Sequence, residues 1–172
     1  MTILSELKVS ETNFREVNLE KANLIEANFL RADLMGANLK NANLEEANFT
    51  EAHLEMANLD GANLTKANLR GAYLPRAQIR EAKLINTHLE GAKLVKSHLE
   101  GANLSGSHLF MANLSGAYLS GTNFTMADLE SADLVGTHNL TIDQLSKVKT
   151  LRNAKLDKEL LQQLRIKYPS LL

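Results

Sequence analysis

The residues best equipped for chemistry are five histidines, His53, His88, His98, His108 and His138. Each follows a small residue: Ala52, Thr87, Ser97, Ser107 or Thr137. His88, His108 and Asp128 fall at intervals of twenty residues, which would stack them in one column if the chain returned on itself at that period. Two neutral imidazoles and a carboxylate are sound ligands for zinc or nickel. An exposed ladder on a flat face offers no cavity, no outer partners and no fourth protein ligand, however. The expectation is therefore that no metal is bound and no cofactor is used, with His88, His108 and Asp128 the residues that would supply ligands.

Other chemistries find less. The chain has no cysteine, which removes disulfide frameworks, thiolate metal sites and thiol catalysis together. Ser105, Ser115 and Ser120 lie where serine is an ordinary turn residue, and no nucleophile elbow or phosphate-cradling glycine loop precedes a helix. Glu45, Glu46, Glu51, Glu55 and Asp60 make an acidic corner, but carboxylates in water have no reason for a raised pKa. Catalysis is not expected. Aromatic residues are 5% and tryptophan is absent, so a large aromatic-lined pocket is not expected either.

What must position these residues is a repeat. From Thr12 to Leu134 the chain is written in five-residue units of small, polar, Leu/Phe, x, x, as in Ala22-Asn23-Leu24-Ile25-Glu26 and Ala62-Asn63-Leu64-Thr65-Lys66. A period of five suits neither regular element. On an α-helix successive leucines would lie about 140° apart and wrap the whole surface. On a straight strand an odd period sends each leucine to the face opposite the last. Within one unit, though, positions one and three share a face, so every Ala and Leu stays inside only if the chain turns a corner once per unit. All nine glycines fall at position five, and Pro75 at position four. A type II turn favours proline at its first central residue and a residue of positive φ at its second, which centres the corner on positions four and five.

Four corners close a square of about twenty residues, and some 25 units give roughly six coils stacked at about 4.8 Å, a rod about 30 Å long. Tandem Ala-Asn/Asp-Leu-x-x units over residues 10–140 resemble the pentapeptide-repeat family, and the resemblance implies an all-β solenoid, a right-handed quadrilateral β-helix. Residues 1–11 are expected to form an N-terminal cap or irregular first coil, residues 12–140 the β-helix, and residues 141–172 a small α-helical C-terminal cap. In that last segment the register slips at Asn139-Leu140, and Thr141 with Gln144 makes a capping-box pattern. One further unit returns at Asn153-Ala154-Lys155-Leu156. Asp157 then reads as the N-cap of a helix carrying Leu160, Leu161, Leu164 and Tyr168 on one side, with Pro169 as its stop.

The net charge of −1 divides into about −5 over residues 11–140 and +4 over 141–172. Lys66, Arg70, Arg76, Arg80 and Lys83 are basic but scattered over several faces, so direct nucleic-acid binding is not expected. The N-terminus does not read as a secretory signal and no stretch is long enough to span a bilayer, so a soluble cytoplasmic protein without membrane contact is expected. There remains a non-enzymatic structural or protein-interaction module with an unidentified protein partner. Exposed apolar residues at position four, Leu30 and Phe110 in one column and Met35, Val95 and Val135 around Pro75 in another, are its candidate contact surface. The tail Ser170-Leu171-Leu172 could help pair two C-terminal caps into a homodimer. The family resemblance adds one alternative, a DNA-mimicking regulator of DNA gyrase or topoisomerase, which would need a strongly acidic rod.

Overall fold

The computed structural model describes residues 9–172. Parallel bridges join each position-two residue to the one twenty residues on, from Asn13 with Asp33 through Tyr118 with His138. The chain is therefore a square coil of twenty residues per turn, with one bridging residue per side.

The hydrogen bonds show how a five-residue unit closes. In the side that begins at Ala22, the Leu24 amide donates to Asn43 O (2.8 Å) and the Glu26 amide to Glu45 O (2.9 Å), both in the next coil. The Asn43 amide returns to Ala22 O (2.9 Å), and the Ala27 amide closes the corner onto Leu24 O (3.1 Å). One amide per unit, that of position four, has no backbone acceptor. The position-two side chain takes it: Oδ1 of Asn63 accepts from the Thr65 amide at 3.2 Å. This explains Asn and Asp at position two, since a short side-chain acceptor two residues back is what an orphan turn amide needs.

Every position-five residue from Glu11 to Gly136 has φ between 53° and 69°. The left-handed conformation is thus a property of the coil and not of glycine, and seventeen of these corners carry a side chain at a cost of order 1 kcal/mol each.

Positions one and three fill the axis. From Ala22 to Leu134 they are buried, Leu64 and Leu104 at 0% exposure and Leu84 at 1%. Phe29 and Phe49 stack one coil apart at 4.9 Å. Where position one is Thr or Ser the hydroxyl is also satisfied, as in Thr87 Oγ1 to Leu64 O (2.8 Å) and Ser107 Oγ to Leu104 O (2.7 Å).

Residues 9–11 already belong to the first coil, because the Val9 amide bonds Asn28 O and the Glu11 amide bonds Leu30 O; residues 1–8 of the expected N-terminal cap lie outside the described residues. At the other end, helix α1 (Ile142–Leu145) takes the place of the rung that would cover Asn123, with Thr141 and Gln144 forming the expected capping box. The coil then resumes two residues late, Thr150 bridging Asp128 and Lys155 bridging Asp133. Helix α2 (Lys158–Lys167) follows, with a 3₁₀ turn over Pro169–Leu171. Leu164 is buried, and Leu160, Leu161, Leu171 and Leu172 pack partly buried against the core, so the tail folds onto its own rod. Tyr168, expected on the buried stripe, is 37% exposed, because its backbone leaves the helix at φ −142°. No helix among the described residues is long and apolar enough to cross a membrane.

Candidate functional site

Side chains at positions two, four and five all leave the rod, and columns of them define its surface. A shallow, mainly apolar groove of about 450 Å³ runs along one corner, lined by Met35, Glu55, Pro75 and Val95 at position four and Met56, Arg76 and Lys96 at position five. Met35 and Val95 line the same groove three coils apart, with Glu55 and Pro75 between them. Val135 stands in the same column, 44% exposed, but outside the groove, with Ser115 intervening. Leu30 and Phe110 are not brought together either: Thr50, Arg70 and Glu90 lie between them. Met56, 54% exposed, is the groove residue that position-four columns miss, since it stands one residue further around the corner. Methionine at position five, which recurs only at Met111 and Met126, is the signal that could have found it.

Tyr73 and Lys93 occupy position two beside Pro75 and Val95, and the Tyr73 ring stacks on His53 at 5.0 Å. Arg76, Lys93 and Lys96 make no ion pair among the described residues. Several other charges are matched across coils, although Lys40 and Lys83 too make no ion pair among the described residues. Arg31 reaches Glu11 and Glu51 (3.7 and 2.8 Å), Lys66 reaches Glu46 (2.9 Å), and Arg80 lies between Asp60 and Glu100 (3.4 and 3.8 Å).

On another face His88 and His108 stack at 4.8 Å, 13° from parallel. Asp128 bridges His108 through the backbone, but its carboxylate turns to Lys149 (3.0 Å) and to the Glu130 amide. Burial raises its pKa, yet those two partners, with His108 adding, hold it below the ordinary value. The carboxylate nearest the two imidazoles is instead Glu90, whose Oε1 lies 3.2 Å from His88 Nδ1 and which has a ligand atom within 4.8 Å of one on His108. Burial also pushes the Glu90 carboxyl up, and its own amide, His88 and Arg70 outweigh that and keep it low.

A family model described as pentapeptide repeats matches this sequence in eight copies, over residues 2–41, 12–50, 42–78, 74–109 and 112–138. The chain belongs to the pentapeptide-repeat family. Its square coil is accordingly the family's right-handed quadrilateral β-helix, here with a helical C-terminal cap. Among solved structures, this pentapeptide-repeat protein is similar to HetL, a protein involved in heterocyst differentiation regulation from the cyanobacterium Nostoc sp. strain PCC 7120. Identity is 28%, over 90% of this chain and 86% of HetL, with a TM-score of 0.39. It is also similar to full-length QnrB1, a plasmid-mediated fluoroquinolone resistance protein, at 19% identity over 96% and 98% of the two chains with a TM-score of 0.43. A pentapeptide-repeat protein of the Arabidopsis thaliana thylakoid lumen matches at 27% identity over 78% and 72%, TM-score 0.28. No curated protein matches the sequence.

Proposed function

We propose that this pentapeptide-repeat protein is a non-enzymatic interaction module that holds a linear protein segment in its Met35–Val95 corner groove. The observation that carries the reading is the joining of an apolar trough to three unpaired cations. Exposed methionines adapt to varied side chains and are common at interaction surfaces, and Tyr and Arg are enriched there as well. Met35, Met56, Pro75 and Val95 suit an aliphatic side chain of the partner. Arg76, Lys93 and Lys96 suit carboxylates beside it, which would also steer its approach. The occupant is thus a segment that alternates aliphatic and acidic residues.

Panning a phage-displayed library of short random segments against the full chain tests this. Segments combining aliphatic with acidic residues should be enriched, and should be lost against Val95→Glu and against Arg76→Glu with Lys96→Glu. Absence of enrichment, selection of basic segments, or enrichment unchanged in Val95→Glu would overturn it.

Charge gives no support to a DNA-mimicking gyrase regulator. Such a rod presents dense negative charge, whereas here Arg31, Lys66, Arg70 and Arg80 neutralise the acidic columns they stand in. A gyrase supercoiling assay is expected to show no inhibition at micromolar protein.

A further inference from the structure

We propose that His88, Glu90 and His108 form a site for one divalent metal ion of the zinc type, contributed by two adjacent coils and occupied in competition with the Arg70 guanidinium. It is independent of the groove and lies on a different face.

The coil makes the arrangement in two ways. A twenty-residue period sets His88 directly against His108, and outward pointing at both positions two and four sets Glu90 beside His88 within one unit. One ligand atom from each of the three residues lies within 4.8 Å of the others, and they are the one such His/carboxylate group among the described residues. Zinc bonds of about 2.0–2.2 Å in a tetrahedron place neighbouring ligand atoms roughly 3.3–3.5 Å apart. The Nδ1 of His88 and Oε1 of Glu90, at 3.2 Å, already stand near that spacing. His88 and His108 stack nearly parallel, 13° apart, so the exposed His108 ring must turn out of the stack to complete the third bond, and solvent can take the fourth.

The decisive detail is Arg70. Its Nη2 lies 2.7 Å from His88 Nδ1 and 3.1 Å from Glu90 Oε1. A guanidinium has only donors, so toward Arg70 the Nδ1 acts as an acceptor, in the tautomer that carries the ring proton on Nε2. In that tautomer a lone pair on Nδ1 and a carboxylate oxygen stand 3.2 Å apart, two acceptors held together by a shared cation. That is the electrostatic arrangement a metal requires, filled by a side chain that is itself half exposed and free to leave. Glu90 thus supplies a third ligand nearer than Asp128, and the fourth position is left to solvent. The other imidazole stacks do not share this, because Tyr73 follows His53 and Tyr118 separates His98 from His138.

Isothermal titration of the full chain with zinc chloride in a non-chelating buffer, with magnesium chloride as the hard-cation control, decides the matter. One zinc per chain and no magnesium are expected. His108→Ala and Glu90→Gln should each weaken zinc by roughly tenfold or more, while His98→Ala leaves it unchanged. Arg70→Ala, which removes the competitor and no ligand, should bind zinc several-fold more tightly. The proposal is overturned if zinc binds neither the native chain nor Arg70→Ala, or if His108→Ala binds zinc as the native chain does. Unchanged far-ultraviolet circular dichroism of each variant separates lost ligands from lost structure.

Discussion

Asn63 and Asn43 stand one coil apart with their side chains joined, Nδ2 of Asn63 donating to Oδ1 of Asn43 at 3.0 Å. The same Asn63 offers its Oδ1 to the Thr65 amide at 3.2 Å and to Thr65 Oγ1 at 2.7 Å. One residue thereby links two coils and caps the corner that follows it. Asn63→Ala removes both functions and leaves the Thr65 amide half-buried without an acceptor, so it should cost about 1–2 kcal/mol in urea denaturation. Asn63→Asp keeps the acceptor and loses only the ladder donor, and is expected to cost less.

The corners separate backbone cost from steric cost. A Cβ on Gly91 would meet nothing within 4 Å, and one on Gly61 would lie 2.3 Å from Asn41 Oδ1, at nearly the same φ of 69° and 67°. Gly91→Ala should therefore destabilise by about 1 kcal/mol, the left-handed strain less the entropy it removes from the unfolded chain. Gly61→Ala should cost somewhat more, because Asn41 must also rotate. Chemical denaturation of the two variants side by side measures the difference.

The inward set was legible without coordinates because a five-residue period has one way of keeping Ala and Leu buried, and Leu64, Leu84 and Leu104 are buried as that requires. The corner at positions four and five was legible from nine glycines and one proline. Less legible was anything joining different positions. Columns twenty residues apart lead from His108 to Asp128, but Glu90 comes to His88 across two residues of one side, and Met56 enters the groove from around the corner. Asp157 shows the limit most clearly. It reads as an N-cap, yet its side chain makes no capping bond in α2 and accepts instead from the Gly136 amide at 3.1 Å through each oxygen. Position-five amides normally donate to a carbonyl of the next coil, as Ser131 does to Arg152 O. Above Gly136 the chain has turned into a helix, and the carboxylate replaces the missing carbonyl. No local pattern announces that.

The C-terminal cap depends on Gln144 as a staple. Its Nε2 donates to Leu119 O and Thr122 O at 2.8 and 2.9 Å, and its Oε1 accepts from the Thr141 amide at 2.9 Å. Gln144→Ala is expected to cost roughly 2 kcal/mol and to raise amide hydrogen exchange first in the last coil, since a solenoid coil contacts only its neighbours. Uniform loss of protection along the rod would contradict this.

Acid should weaken the fold through Asp33. Burial raises its pKa, but the Met35 amide and the Arg15 guanidinium, with His53 adding, bring it below the ordinary 3.8. A carboxyl lowered on folding contributes stability that is present above the unfolded value and is lost as pH falls through the folded one. Urea midpoints should therefore drop between about pH 5 and about pH 2, and Asp33→Asn, which keeps the acceptor for Met35, should flatten the part of that drop due to this residue.

The placement of every proposed site rests on one side of the square presenting positions one and three to the axis. Because the sequence has no cysteine, single substitutions Ala62→Cys, Asn63→Cys, Leu64→Cys, Thr65→Cys and Lys66→Cys can each report their own access to a soluble maleimide. The thiols at 62 and 64 should stay unreactive until the chain unfolds, and those at 63, 65 and 66 should react readily, with the same alternation at 82–86. Ready labelling of Leu64→Cys and Leu84→Cys in the folded chain, or protection recurring every three or four residues, would contradict the square coil and every site built on it.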